Sequence, residues 1–355
     1  MRRAAAERSH PAMRQRCSTA MPRSAGRCGW PQTVLPASPR SNDYPEKPTT
    51  MIGALTRSTA RLYEWPSLLL TLAAIFWAGN TVAGRLAVDQ ISPFMLTFLR
   101  WVVVMTVLWP IYGGQVREHW PQIRPRLPGI VVLASLGFTG FNALYYVAAH
   151  YTTAINIGIL QGSLPIFVLA GAFIAHGTRA SLVQLAGVLV TAVGVVVVAT
   201  RGEPLAILEV EFNKGDLAML AACALYAFYT VALHDRPDMP GTAFFTLLAL
   251  IATLTSLPLV AFEALTSGFQ VPTVNGLLIT AWVAIFPSFL SQIFYLRGVD
   301  LIGPGRAGVF INLVPVFAAA LAVGLISEPF AAYHAVALAL VIGGIWLAQR
   351  TRAPQ

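Results

Sequence analysis

The sequence predicts an all-α membrane protein, with ten transmembrane helices arranged as two inverted five-helix repeats. Three observations lead there. Hydrophobic residues make up 56% of the 355 positions and charged ones only 11%, whereas soluble globular chains carry roughly 25% charge. The apolar residues fall into ten continuous runs, each close to the roughly 20 residues that cross a hydrocarbon core about 30 Å thick. Residues 135–200 then recur, without a gap, as residues 285–350.

The first five runs are Ser67–Leu86, Pro93–Tyr112, Pro128–Ala149, Ala154–Ala175 and Leu182–Ala199. The second five are Asp216–Leu233, Thr242–Phe262, Val274–Arg297, Gly305–Ile326 and Ala331–Ala348. Short connections make them a compact up-and-down bundle. A β-barrel would show short alternating segments instead. In the repeat, Pro165 falls on Pro315, Phe167 on Phe317, Gly158 on Gly308, Ala172 on Ala322 and Gly194 on Gly344. Asn142 meets Gln292, and Tyr145 meets Tyr295. Each copy holds an odd number of crossings, so the two must run in opposite senses through the bilayer. Inverted repeats build one machine with two alternating openings, which points to transport of a small-molecule substrate.

The net charge of +9 does not argue for nucleic acid, because of where it lies. Eleven of the 24 Lys and Arg residues precede Trp65. Arg117, Arg124, Arg126, Arg179, Arg236, Arg297 and Arg306 then occupy one set of connections. The other set holds Arg85, Arg201 and Lys214. With Arg350 and Arg352 at the carboxyl end, this asymmetry places both termini in the cytoplasm of a multi-pass cell-membrane protein. The partners implied are the lipid bilayer and a small solute.

Residues 1–64 form a basic tail rich in Arg, Pro, Ser and Ala. It lacks the apolar run of a signal peptide and the hydrophobicity to fold alone. It reads either as a lipid-contacting tail or as sequence upstream of a true start at Met51. The repeats occupy 65–201 and 215–350. Cys17, Cys28 and Cys223 form neither a disulfide framework nor a metal spacing. No phosphate-binding loop or H-E-x-x-H pattern occurs, so no cofactor, metal or ATP-driven motor is expected. Tyr63, Trp65, Trp109 and Tyr112 suit the bilayer interface. Gly187 and Gly194 share one helix face, matched by Gly343 and Gly344, with Ala320 and Gly324 nearby. Such small-residue stripes suit close helix packing within the chain or in a homodimer.

The run Phe76-Trp77-Ala78-Gly79-Asn80-Thr81-Val82-Ala83 resembles the first-helix signature of the drug/metabolite transporter superfamily, EamA type. Pro93-Phe94 with Leu99-Arg100-Trp101, the Pro165-Ile166-Phe167 and Pro315-Val316-Phe317 triplets, and Ile326-Ser327-Glu328-Pro329 are similar to further patterns of that family. The resemblance covers 66–350. It implies a ten-helix carrier of small metabolites, often an exporter, with a cavity between the halves. Two departures stand out. Thr178 occupies the place of Glu328 in the first repeat, and Trp77-Ala78-Gly79 replaces the more usual Trp-Gly order.

Ionisable groups within a bilayer are costly, so each is a candidate. Arg100 lies seven residues into the second run, roughly 10 Å along the axis at about 1.5 Å per residue. It suits either attraction of an anionic substrate group or capping of helix carbonyls. Asp216, Glu263, Asp300 and Glu328 all fall near run ends. Proton coupling would have to use Glu328, His150 or Asp300, and facilitated movement down a gradient is the simplest expectation. Trp77, Asn80, Thr81, Asn142, Tyr145, Tyr146, Asn156, Gln161, Tyr226, Tyr229, Ser291, Gln292, Tyr295 and Asn312 are candidates for the cavity lining. Of these, Asn142 with Gln292 and Tyr145 with Tyr295 weigh most, because both halves carry them. Such amides and rings suit an amino-acid-like solute. Pro165 and Pro315 read as matched mid-helix kinks or hinges. Pro287 adds an unmatched bend. A sugar-phosphate or nucleotide-sugar carrier would want more cavity cations than Arg100. A scaffold or sensor would work through the basic tail. An intramembrane enzyme would need a nucleophile and base at bilayer depth, which the chain lacks.

Overall fold

This computed structural model describes residues 63–177, 180–203, 213–233, 236–266 and 270–349. The basic tail, Thr178, Arg179, Arg350 and Arg352 lie outside the described residues. Ten helices are long and apolar enough to cross a membrane. In the first repeat they are α1 (Pro66–Leu86), α2 (Pro93–Glu118), α3 (Trp120–Tyr151), α4 (Ala154–His176) and α5 (Leu182–Ala199). In the second they are α6 (Lys214–Ala232), α7 (Gly241–Thr266), α8 (Val274–Ile302), α9 (Arg306–Ile326) and α10 (Ala332–Gln349). No strand occurs among the described residues.

Two boundaries differ most from the sequence expectation. Helix α2 runs six residues past Tyr112, and α3 starts eight residues before Pro128. Arg117, Arg124 and Arg126 therefore sit on helical turns rather than in a loop, and Trp109 is not at a helix exit. The cause is local. Trp120-Pro121 and Arg124-Pro125 each put proline in a first turn, where its missing N–H costs nothing, so one helical turn restarts directly after another.

Prolines also change the middle of the bundle. Pro165 and Pro315 do not kink a continuous helix. Helix α4 breaks at Gly162-Ser163, and Pro165 lies in the first turn of its second half, Leu164–His176. Helix α9 breaks at Asn312-Leu313, and Pro315 lies in the first turn of Val314–Ile326. Gly162 and Ser163 donate to Ile159 and Leu160, at 2.9 Å each, as Asn312 and Leu313 do to Val309 and Phe310. These i to i−3 bonds tighten the chain where proline cannot supply the usual i to i−4 bond.

Helices α3 and α8 carry a second matched irregularity. Each contains a π-helical turn, Ser135–Gly140 in α3 and Ala284–Leu290 in α8. The segments that follow, Phe141–Tyr151 and Ser291–Ile302, keep the 150-residue repeat. Such turns are rare and concentrate at functional sites.

The connections fall at two ends of the bundle. One is the basic end. The other, here the carboxylate end, holds Asp89, Glu203, Asp216, Glu263 and Glu328. Packing differs between them. In α4, Ala154 to Leu160 are buried, whereas the half leading to the basic end, Leu164–His176, has no fully buried residue. In α9 the half toward the carboxylate end buries Val314, Pro315, Ala318, Ala319 and Ala322. A methyl at Gly158 would stand 2.5 Å from Ala318 Cβ, while one at Gly308 would meet nothing within 4 Å.

The glycine stripe is occupied within the chain. A methyl at Gly187 would come within 2.5 Å of the Gly344 carbonyl oxygen, and one at Gly194 within 3.0 Å of the Ala337 carbonyl oxygen. These glycines seat α5 against α10. Gly324 and Gly343 have nothing within 4 Å of a built Cβ. Overpacking costs about 1–3 kcal/mol at a tight contact. Gly187→Leu should therefore melt well below the parent in detergent, while Gly343→Leu should melt close to it. Equal melting of the two would remove the α5–α10 contact as the reason for these glycines.

Candidate functional site

Arg100 is 4% exposed and joins four helices. From α2 its Nη1 donates to Asn142 Oδ1 and, at 2.6 Å, to the Tyr146 hydroxyl, both on α3. Its Nε and Nη2 donate to Ser288 Oγ on α8, at 3.0 and 2.6 Å. Tyr146 passes its own proton to Asn80 Oδ1 on α1, at 2.9 Å. The guanidinium carbon lies 5.1 Å from the Trp101 ring centroid and 5.6 Å from that of Tyr146, within cation–π range.

Each acceptor is aimed by its own backbone. Pro287 has no N–H to give the Val283 carbonyl, four residues back. Ser288 Oγ donates to that carbonyl instead, at 2.6 Å. Its single proton is thus committed, and its lone pairs face Arg100. Asn142 Nδ2 donates to the Phe138 carbonyl, which fixes Oδ1 toward the cation. The π turns put Asn142 and Ser288 at this point. Trp77 Nε1 donates to the Pro287 carbonyl at 3.1 Å, tying α1 to the same turn.

Arg100's hydrogen-bond partners among the described residues are all neutral. A guanidinium removed from water without a counter-ion is costly, by several kcal/mol. It retains a long-range attraction for an anion that neutral acceptors do not quench.

The EamA-like transporter family matches residues 64–200 and 213–349, once per repeat. The chain belongs to the EamA-like transporter family. Among its relatives is the "Uncharacterized transporter YetK" of Bacillus subtilis, 27% identical over 78% of this chain and 84% of its own length. Another is the "Probable terminal-alkyne amino-acid exporter" of Streptantibioticus cattleyicolor, 25% identical over 79% of this chain and 92% of its own. A third, the "Uncharacterized inner membrane transporter YedA" of Escherichia coli, is 22% identical over 77% and 87%. A solved crystal structure of a protein covers 80% of this chain and 96% of its own, at 20% identity and a TM-score of 0.56, which supports the fold alone.

Within this EamA-like bundle the remaining candidates divide. Asn80, Asn142 and Tyr146 join Arg100. Tyr145 is buried beside them, its ring 5.5 Å from that of Tyr146, and its hydroxyl makes no hydrogen bond of ordinary geometry. Tyr226 continues an aromatic layer with Phe141 and Tyr229, at 5.0 and 5.3 Å. Tyr295 stacks near Trp77, at 5.3 Å. Gln292 is half-buried. Asn142 and Gln292 thus share a helical register, but of the two Asn142 is the one bonded to Arg100. Ser288 was not legible as a candidate: its phase is set by the π turn.

His150 and Glu328 stand apart from this cluster, at the carboxylate end. Glu328 Oε1 and Oε2 accept from the Ala154 and Ile155 N–H groups, at 2.9 and 3.0 Å. It caps the first turn of α4 across the repeat boundary, where a carboxylate also meets the positive end of the helix dipole. Glu263 does the same for α2, accepting from Ser92 Oγ at 2.5 Å and from the Phe94 and Met95 N–H groups at 3.4 and 3.3 Å. The family turn before the last helix of a repeat is divided between the copies. Gly177 holds the left-handed position in the first (φ 65°), and Ser327 in the second (φ 54°), where Glu328 follows. Losing a cap costs about 0.5–2 kcal/mol. Glu328→Ala should lower the melting temperature, with Glu328→Gln between it and the parent. An unchanged melting temperature in Glu328→Ala would refute the capping role.

Proposed function

We propose that this transporter is a secondary carrier of small organic solutes bearing a carboxylate, amino acids and related compounds foremost, and that it exports them by alternating access. The observation that carries this reading is the buried Arg100 guanidinium held only by neutral acceptors. A substrate carboxylate would replace Asn142 Oδ1 and Ser288 Oγ at the planar fork, a bidentate geometry that arginine offers and lysine does not. Tyr145, Tyr146 and Trp77 would pack the apolar part. The amino-acid exporter among the relatives supports the substrate class. A phosphate-bearing substrate has less support, since Arg100 is the buried cation among the described residues.

The described conformation suits one half of such a cycle. Glu328 and Glu263 clamp the carboxylate end and the Gly158–Ala318 contact seals it, while the halves of α4 and α9 toward the basic end are more exposed. With the basic end in the cytoplasm of the cell membrane, an orientation that the charge asymmetry supports, this would be the inward-facing form, ready to load a solute for export. Opening the other way would release the two carboxylates and hinge at the breaks beside Pro165 and Pro315.

In proteoliposomes loaded with mixed amino acids, Arg100→Gln should reduce counterflow at least tenfold, about 1.4 kcal/mol of lost interaction, while remaining folded by size exclusion. Arg100→Lys should recover only part of the rate. Full counterflow by Arg100→Gln would refute the site.

A further inference from the structure

A polar cavity, of about 250 Å³, opens at the carboxylate end, away from the Arg100 cluster. Arg85, His150, Thr152, Asn156, Arg201 and Tyr333 line it. Its rim supplies cations. One Nη of Arg85 donates to the Ala149 carbonyl at 2.9 Å, which anchors the guanidinium at the end of α1. Arg201 follows α5 with φ 52°, a left-handed backbone that non-glycine residues seldom adopt and that persists only when surroundings hold it. Gly202 continues the turn at φ 82°, so close to α10 that a Cβ there would stand 2.8 Å from Tyr333 Cβ. This strained, seated turn brings Arg201 to the cavity.

The floor supplies acceptors. Asn156 Nδ2 donates to Thr152 Oγ1 at 3.2 Å, and Thr152 Oγ1 donates to Asp216 Oδ1 at 2.6 Å. The Thr152 hydroxyl proton and one amide N–H of Asn156 are thereby used. Asn156 is 6% exposed, and its Oδ1 is buried with no hydrogen-bond partner among the described residues. A buried acceptor left unmade costs about 1–3 kcal/mol, so this atom calls for a donor. Asp216, itself 5% exposed, adds negative charge behind it.

Donors at the rim and one unmet acceptor at the floor, backed by the Asp216 carboxylate, match a zwitterion. We propose that this cavity is a second binding site, specific for an α-amino acid, with the carboxylate held by Arg85 and Arg201 and the ammonium by Asn156 Oδ1 over Asp216. It would receive the solute at the carboxylate end before release or after arrival. Its link to transport rests on the carrier reading above; its occupancy does not.

The test uses the full chain in detergent, with Arg100→Gln disabling the central site. Each standard L-amino acid is scored by thermal stabilisation, since a ligand of the folded state raises the melting temperature. The best is compared with its decarboxylated amine and its deaminated acid. At least one amino acid should stabilise the Arg100→Gln protein, the amine and the acid less so. Adding Arg201→Gln or Asn156→Leu should each abolish the shift. No stabilisation by any amino acid, an equal shift from the deaminated acid, or a shift that survives both added substitutions would overturn the proposal. If Arg100→Gln does not fold, the same series on the parent should show about a tenfold weaker apparent affinity in Arg201→Gln, about 1.4 kcal/mol; an unchanged affinity would overturn it equally. Full counterflow by Arg100→Gln sinks the central site and leaves this result standing.

Discussion

Hydrocarbon gives a backbone nothing to bond with, so each polar group at membrane depth must find its partner inside the protein. That constraint organises this bundle wherever its helices depart from regularity. Pro287 strips the Val283 carbonyl of its ordinary donor, and the Ser288 hydroxyl replaces it. The α4 and α9 breaks are closed by tightened turns. The first turns of α2 and α4 have N–H groups with no helical acceptor, and Glu263 and Glu328 from the second repeat supply them. In each case the repair also delivers something else: an acceptor for Arg100, a joint in the helix, or a clamp between the repeats.

Arg100 is where the first of these repairs is used. Asn142, Tyr146 and Ser288 each have a proton committed elsewhere, so each presents a lone pair to the guanidinium. Such a shell lowers the cost of burying the cation without cancelling its charge. A carboxylate in the same place would have neutralised it and left little attraction for a solute. The two repeats contribute unequally here. The cation and the paired Asn and Tyr come from the first repeat, the serine from the second. The symmetry of the backbone therefore carries a site that is not itself symmetric.

Much of this was legible in the residues. Ten apolar runs and a gapless repeat require the architecture, and the structure keeps the 150-residue spacing through the second halves of α3 and α8, both halves of α4 and α9, and α5 with α10. Arg100, Asn142 and Tyr146 were conspicuous because polar groups at that depth are costly. Ser288 was not, since serine is cheap in a helix and only the π turn gives it a direction. Pro165 and Pro315 announced an irregularity but not its kind; the same break forms after Gly162-Ser163 and after Asn312-Leu313, so the residues before the proline do not select it. Glu328 looked like a site residue because it was charged and unmatched. Its role as a cap depends on α4 starting beside it, which residues 174 positions apart cannot reveal. The polar cavity at the carboxylate end was invisible for the same reason, being assembled from six separate helix ends.

In the proposed cycle, the Gly158–Ala318 contact constrains the opposite closure. By the 150-residue correspondence, the mirror-image closure would bring Gly308 against Val168. Valine is branched and larger than alanine, so closure at the basic end cannot copy closure at the carboxylate end. In the proposed alternating-access cycle the two end states would then differ in free energy, and the protein would dwell longer in one of them. A solute arriving from the side of the rarer state binds with an affinity diluted by that state's population. Rectification of flux at low concentrations would then follow from one unmatched side chain in a helix pair, with the driving gradient still setting the final balance.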